Sequence, residues 1–396
     1  MSKNKLKILY LQHALGYGGA AKSLLLTQSA ISPYVEVFTV VPRIKTKQQK
    51  AIVSEFKNSC ETTEIDIPTI YSYSERTISI KDFQKRKRCF PESLIKYINR
   101  EKINILHVNS TLFSHILEPV KKHTECKVIV HLREMLPHGK THPVDNYIVE
   151  RYTKYADAII AISDNELHFF ERKKNVFIVP NPHEFSQTDE LLTLANKQSA
   201  PIIIGMCANF ARIKGHLVFL DAAKMIQDKS FGDIDNVEFR IIGYPKPTFS
   251  LKGLVAKLIR YGYQSEFESK VKKTGLNKLK ITPFSFDIYR DFASIDIFVR
   301  PDLSGHPWGR DVIEAMALKK PVIATGTSEF FVENGITGYL VPPKNPEKLA
   351  ERIMELVKDP QKRVAMGEAG YEKVRKMCDM NDYGVKLMNV YESLLL

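Results

Sequence analysis

The chain has 396 residues, a formal charge of +13 at pH 7, 44% hydrophobic and 26% charged residues, 19 glycines and 20 prolines. This balance excludes a disordered or fibrous protein, and the length exceeds the roughly 250–300 residues at which one core stops growing, so two domains are expected. The five cysteines, Cys60, Cys89, Cys126, Cys207 and Cys378, are scattered and never spaced Cys-x-x-Cys, which indicates neither a disulfide framework nor a zinc site but reduced thiols.

Near the start the apolar stretch Ile8–Leu11 is too short for the core of a signal peptide, and no stretch reaches the roughly 18 apolar residues of a membrane span. A cytoplasmic location is expected. Basic residues cluster at Lys81–Arg88 and more loosely at Lys252–Lys273. Zinc-finger spacing, RNP-type strands and a helix-turn-helix pattern are all missing, so no nucleic-acid partner is expected. An anionic membrane surface, to which each nearby basic residue contributes about 1 kcal/mol, fits the charge better; an ordinary solvated surface accounts for it equally well.

In chain order, the apolar run Lys5–Gln12 predicts a strand, Gly16–Gly19 a glycine turn and Ala20–Ser29 a helix. Further strands are predicted at Val35–Val41, Ile103–Val108, Lys127–His131, Ala158–Ile162 and Val176–Val179, with helical stretches between several of them. At Pro180-Asn181-Pro182 and the polar stretch Ser186–Ser199 the alternation pauses, as in a domain linker. A second series follows at Ile202–Cys207, Glu238–Ile242, Lys280–Pro283, Asp296–Arg300, Pro321–Thr325 and Gly338–Val341, then helices at Asn345–Asp359, Pro360–Met377 and Asn381–Leu395. Asn345 and Pro346 suit the N-cap and first positions of the first of these, and Ser250–Gly275 reads as an additional helix. The alternation predicts an α/β protein of two doubly wound parallel sheets, with ligands beyond the carboxyl ends of the strands. The domains are placed at residues 1–185 and 186–380, with helix 381–396 packing back on the first.

Three segments carry chemistry. Gly16-x-Gly18-x-x-Ala21 matches a dinucleotide fingerprint loosely, but the expected acid after the second strand is replaced by Pro42-Arg43. What remains is glycine-exposed backbone, Gly18 and Gly19 included, at a helix N-terminus, where an anion or simply a tight turn would fit. Asn209-Phe210-Ala211-Arg212-Ile213-Lys214-Gly215-His216 brings two cations to the end of a strand, where Lys214 and Arg212 could meet the charge growing on a diphosphate. Ser304–Ala317 holds the sole Trp, Trp308, with Gly309, Arg310, Asp311 and Glu314. Asp311-x-x-Glu314 also has the spacing of a capping box, which would account for both acids without function.

Taken together, the glycine loop, Ala156–Ser163, Val179-Pro180-Asn181-Pro182, Lys214-Gly215-His216, Val312–Ala317, Lys320–Thr325 and Asn334–Pro343 resemble the retaining GT-B glycosyltransferases of family 4, the glycosyltransferase group 1 set. The resemblance implies a GT-B fold with an acceptor-binding first domain and a nucleotide-sugar-binding second domain. It implies that Glu314 grips the donor ribose, that Lys214 neutralises the diphosphate, and that backbone amides at Gly309 and Arg310 face sugar and phosphate from a helix N-terminus. His131, at the end of a first-domain strand, is expected to hydrogen-bond the sugar or the acceptor, with Asn109, Ser110 and Arg133 on the acceptor side. Three departures stand out: His306 replaces the first of the family's two glutamates, Asn209 replaces an arginine, leaving Arg212 to reach the phosphate, and the loop after Thr325 is shortened.

The implied reaction retains configuration, with closure of the domains bringing the acceptor hydroxyl to the face the diphosphate leaves. The donor is a nucleotide diphosphate sugar, the acceptor a glycan or lipid-linked molecule, and the setting cell-envelope polysaccharide synthesis. No cofactor and no metal are expected, since cations do the metal's work; Asp233-Ile234-Asp235 reads as a turn. A nucleotide-sugar epimerase and a non-catalytic scaffold remain as alternatives.

Overall fold

The computed structural model describes residues 5–13, 15, 18–71, 78–133, 135–136, 142–167, 170, 175–194, 201–228, 236–245, 251–285 and 287–396. The chain divides into two compact units, Met1–Pro182 with Cys378–Leu396, and His183–Met377.

The first unit is built on a 7-stranded sheet of β1 (Lys7–Leu11), β2 (Glu36–Val41), β3 (Glu61–Glu64), β4 (Ile105–Val108), β5 (Lys127–Leu132), β6 (Ala158–Ala161) and β7 (Val176–Ile178). They pair in parallel in the order β3-β2-β1-β4-β5-β6-β7. Central strands read as near-continuous apolar runs because both faces are covered: Leu9, Leu106, Val128 and Val130 pack on one side, Ile8, Tyr10, Ile105 and Ile129 on the other. The edge strand β3 has the sequence Glu-Thr-Thr-Glu and gives no hydrophobic signal; it forms because β2 offers a ladder for its backbone, and its charges suit an edge. Helix Met380–Ser393, capped by Asp379, lies against helix Gly19–Ile31. Gly384 permits the close approach, since a Cβ there would come within 2.7 Å of the Ala30 carbonyl oxygen.

The second unit holds a 6-stranded parallel sheet of β8 (Ile202–Cys207), β9 (Val237–Ile242), β10 (Leu279–Thr282), β11 (Ile297–Arg300), β12 (Val322–Thr325) and β13 (Gly338–Val341), in the order β10-β9-β8-β11-β12-β13. Both sheets reverse winding direction beside their first strand, between β1 and β4 and between β8 and β11, so each has a topological switch point at its carboxyl edge. Asn345 caps helix Pro346–Lys358 by accepting from the Lys348 amide, and the additional helix runs over Leu251–Thr274.

The linker expectation needs correction. Residues Phe185–Leu194 form a helix of the second unit, with Phe185 and Thr188 buried and Asp189 bound to Tyr371 (2.9 Å) and Arg375 (2.6 Å). Its polar outer face hid the two buried residues that dock it. Residues 195–200, like Asp233-Ile234-Asp235, Gly16 and Tyr17, lie outside the described residues.

Candidate active site

In the second unit, β8 ends in a loop whose one-turn helix Arg212–Lys214 closes on Gly215. Gly215 has φ +75, and a Cβ there would collide with the Pro301 carbonyl oxygen. The Leu303 amide donates to the Ile213 carbonyl at 2.8 Å, so the loops after β8 and β11 are fastened together at the switch point. This close approach delivers Lys214 Nζ to 3.1 Å from Asp302 Oδ2. Asp302 is 2% exposed. Burial alone would raise its pKa, but Lys214, Arg300 and hydrogen bonds from Ser304 outweigh burial and hold it at about 2. Arg300, also buried, reaches Asp302 at 3.5 Å, Asp311 through Nη1, and the His306 carbonyl through Nε at 3.2 Å. A recess at this strand end is lined by Met206, Cys207, Ala208, Lys214, Arg300 and Asp311. Burial pushes the Cys207 thiol well up, keeping it protonated.

Helix Arg310–Ala317 starts beside this network. Its N-cap is Gly309, which makes no side-chain cap, so the capping-box reading of Asp311-x-x-Glu314 is overturned: Asp311 binds Arg300, and Glu314 lies 3.1 Å from the Arg310 guanidinium, the two side chains 7% and 6% exposed. The attraction of a fixed guanidinium for each carboxylate wins over the weaker cap. Gly309 is required because the Asp311 carboxylate and the Arg300 guanidinium fill the space a Cβ would take. Lys214, Asp302, Arg300 and Asp311 thus form one charge chain, and Glu314 lies three residues along the same helix from Asp311.

The remaining second-unit candidates are placed differently. Arg212 is not brought into the chain: it binds Glu266 through both terminal nitrogens and stacks 4.8 Å from the Tyr263 ring centroid, on helix Leu251–Thr274. Asn209 is exposed in the loop after β8. His306 is half-buried edge-on to Trp308, ring centroids 4.7 Å apart.

In the first unit, Gly18 is the extended N-cap of helix Gly19–Ile31, without a side-chain cap. His131, next to last in β5, is fully buried; its Nδ1 is 3.1 Å from Nε2 of His107 on β4, and its Nε2 has no partner among the described residues. Burial first, then the charge of Arg133, hold both imidazoles well below their ordinary pKa, hence neutral. Arg133 Nε donates to Asn109 Oδ1 at 2.8 Å, Nη1 to Asn181 Oδ1 and Nη2 to Thr27 Oγ1 at 3.4 Å. Asn109 and Arg133 therefore meet, while Ser110 accepts from the Leu112 amide at 3.2 Å and caps the turn Thr111–Ile116. Sequence reasoning missed Arg300 and Asp302, although charges flanking Pro301 at the end of the apolar run Ile297–Val299 were a usable signal, and it read Asp311 only as a cap. His107, Tyr391, Thr27 and Asn181 carried no signal, since only the sheet and the C-terminal helix bring them to His131 and Arg133.

Residues 190–373 match the family described as glycosyl transferases group 1. Among curated relatives it is 31% identical over 103 residues to a phosphatidyl-myo-inositol mannosyltransferase of Mycobacterium leprae, covering 26% of this chain and 27% of that one. It is 35% identical over 117 residues to a GDP-mannose-dependent monoacylated alpha-(1-6)-phosphatidylinositol monomannoside mannosyltransferase of Corynebacterium glutamicum, covering 27% of this chain and 30% of that one. The chain thus spans less than a third of the length of either. A crystal structure of Anabaena Alr3699/HepE in complex with UDP superposes with a TM-score of 0.76 at 17% identity, covering 98% of this chain and 100% of that one. Sucrose-phosphate synthase of Thermosynechococcus elongatus gives 0.73 at 16%, covering 99% of each. The chain therefore has the GT-B fold of two Rossmann-like units, and the segment similar to group 1 glycosyl transferases falls in the second. Among the described residues no helix is long and apolar enough to cross a membrane.

Proposed function

We propose that this protein is a retaining glycosyltransferase that moves a sugar from a nucleotide diphosphate donor to a glycan or lipid-linked acceptor in cell-envelope polysaccharide synthesis. The observation that carries the reading is the charge chain at the β8/β11 switch point, with Lys214 held at 3.1 Å by the buried Asp302 and Glu314 waiting beside Arg310 on a glycine-capped helix. A diphosphate arriving there meets the Lys214 ammonium and the amides of Gly309 and Arg310, and the ribose hydroxyls meet Glu314. Negative charge grows on the leaving diphosphate as the glycosidic bond breaks. A cation already fixed by Asp302 stabilises that charge without reorganising, so the reaction proceeds without a divalent metal or other cofactor.

HepE was crystallised with UDP and with UDP-glucose, which supports a nucleotide-sugar donor, and the mannosyltransferase relatives support a hexose. The acceptor belongs to the first unit, beside His131, Asn109 and Arg133. Helix Ile80–Lys87 presents Lys81 and Lys85 to solvent, a basic face suited to anionic lipid at the inner leaflet.

The test is a panel of UDP- and GDP-sugars scored for thermal stabilisation and then for turnover with glycan and lipid-linked acceptors. Lys214→Ala and Glu314→Ala should each lower kcat/KM by about 10- to 150-fold, as loss of a charge-assisted contact worth about 1.5–3 kcal/mol requires. Turnover intact in both variants overturns the reading, and a free epimerised nucleotide sugar as product replaces transfer with epimerisation.

A further inference from the structure

The buried polar chain behind His131 has a direction. On the face of the first sheet covered by the C-terminal helix, the Tyr10 hydroxyl is 2.6 Å from the Tyr391 hydroxyl, Tyr391 is 2.8 Å from His107 Nδ1, and His107 Nε2 is 3.1 Å from His131 Nδ1. All four side chains are 0% exposed. Both imidazoles are neutral and burial pushes both phenols well up, so each of the four groups carries one mobile hydrogen. Three hydrogen bonds must share four hydrogens.

Three orders place one hydrogen in each bond. If His131 Nδ1–H donates toward His107 and the order runs outward, the Tyr10 hydrogen is stranded in the core and His131 Nε2 is left as a bare, unpartnered acceptor. Two buried groups then go unsatisfied. If Tyr10 donates to Tyr391, Tyr391 to His107 Nδ1 and His107 Nε2–H to His131 Nδ1, every hydrogen is placed except that on His131 Nε2. One group is unsatisfied, at a saving of about 1–3 kcal/mol. A mixed order, in which Tyr10 and His107 both donate to the Tyr391 oxygen, strands the Tyr391 hydrogen and is no better than the first.

We propose that Tyr391, acting through His107, is a positioning residue that fixes His131 as its Nε2–H tautomer and so presents a hydrogen-bond donor at the carboxyl end of β5. The ligand atom it takes is an oxygen with a free lone pair: a hydroxyl of the transferred sugar or of the acceptor. This rests on the glycosyl-transfer reading for the identity of the ligand, but the tautomer itself does not. The C-terminal helix thereby shapes the chemistry of the first unit, since Tyr391 reaches His107 from Met380–Ser393 while Tyr383 of the same helix holds Thr27, the partner of Arg133, at 2.9 Å.

The test has two arms. Long-range nitrogen–proton correlation spectra of histidine-labelled, ligand-free protein read the His131 tautomer directly, with His131→Gln giving the assignment. Wild type should show Nε2–H. Tyr391→Phe, which keeps the ring and removes only the hydroxyl, should shift a measurable fraction of His131 to Nδ1–H. His107→Gln, whose amide can accept from Tyr391 and donate to His131, should restore Nε2–H, whereas His107→Leu should not. In the kinetic arm, Tyr391→Phe should lower kcat by about tenfold, the loss of one neutral hydrogen bond worth about 1.4 kcal/mol, with the donor KM within about twofold. An Nδ1–H His131 in wild type overturns the proposal, as does a Tyr391→Phe protein with wild-type tautomer and kcat. Glu314→Ala separates the two readings, because it should lower turnover as stated above and leave the His131 spectrum untouched.

Discussion

Asp302→Asn tests whether the charge chain is an energetic unit. The substitution keeps an oxygen for the Ser304 amide, 3.0 Å from Asp302 Oδ1, and removes the charge that Lys214 and Arg300 face. The carboxyl is held at about 2 against an ordinary 3.8. Its folded pKa is depressed, so the ionised group contributes stability that is present in full above about pH 4 and lost as pH falls through about 2. The difference corresponds to about 2–3 kcal/mol at pH 7 and about half that near pH 3. Trp308 is the sole tryptophan and is buried in the same unit, so its fluorescence during urea unfolding reports this unit by itself. Asp302→Asn should lower the stability of that transition by about 2–3 kcal/mol at pH 7, and the gap to wild type should narrow toward pH 3. A loss below about 0.5 kcal/mol at pH 7, or a loss of constant size across that range, refutes the coupling.

Other expectations follow from the same geometry. Gly309→Ala places a methyl where the Asp311–Arg300 pair sits and should destabilise the Trp308 transition by about 1–3 kcal/mol while weakening nucleotide affinity; titration calorimetry with UDP and GDP checks the second effect. His115 is buried with neither ring nitrogen partnered, and burial holds its pKa at about 4. Its neutral form is favoured in full above the ordinary 6.5 and penalised progressively down to about 4, a loss of about 3 kcal/mol, so His115→Leu should flatten the pH dependence of first-unit stability in that window, as read by circular dichroism. Turnover with the cognate donor should survive exhaustive chelation, and a restored requirement for manganese or magnesium would show that Lys214 does not do the metal's work.

The alternation of apolar runs with amphipathic stretches was enough to place both Rossmann-like sheets, because a strand buried on both faces must be apolar along its whole length, as Ile202–Cys207 and Val322–Thr325 are. That Lys214, Gly309 and Glu314 follow strand ends was legible too, from apolar runs that break into glycine and charge; their roles were not. Strand β3 was not, because its polar side chains say nothing of the ladder that β2 offers, and neither was helix Phe185–Leu194, docked by two buried residues and an acid. Only tertiary structure decided what each charge does. Arg212 and Lys214 lie two residues apart, yet one is spent on Glu266 and the other on Asp302, a choice made by a helix some fifty residues downstream and a loop nearly ninety away. Likewise Tyr391 meets His107 across a sequence separation of 284 residues, so no local pattern could have announced the relay. Periodicity records which side chains must leave water; the pairing of the polar ones that leave with them is fixed only when the sheet and its covering helices have met.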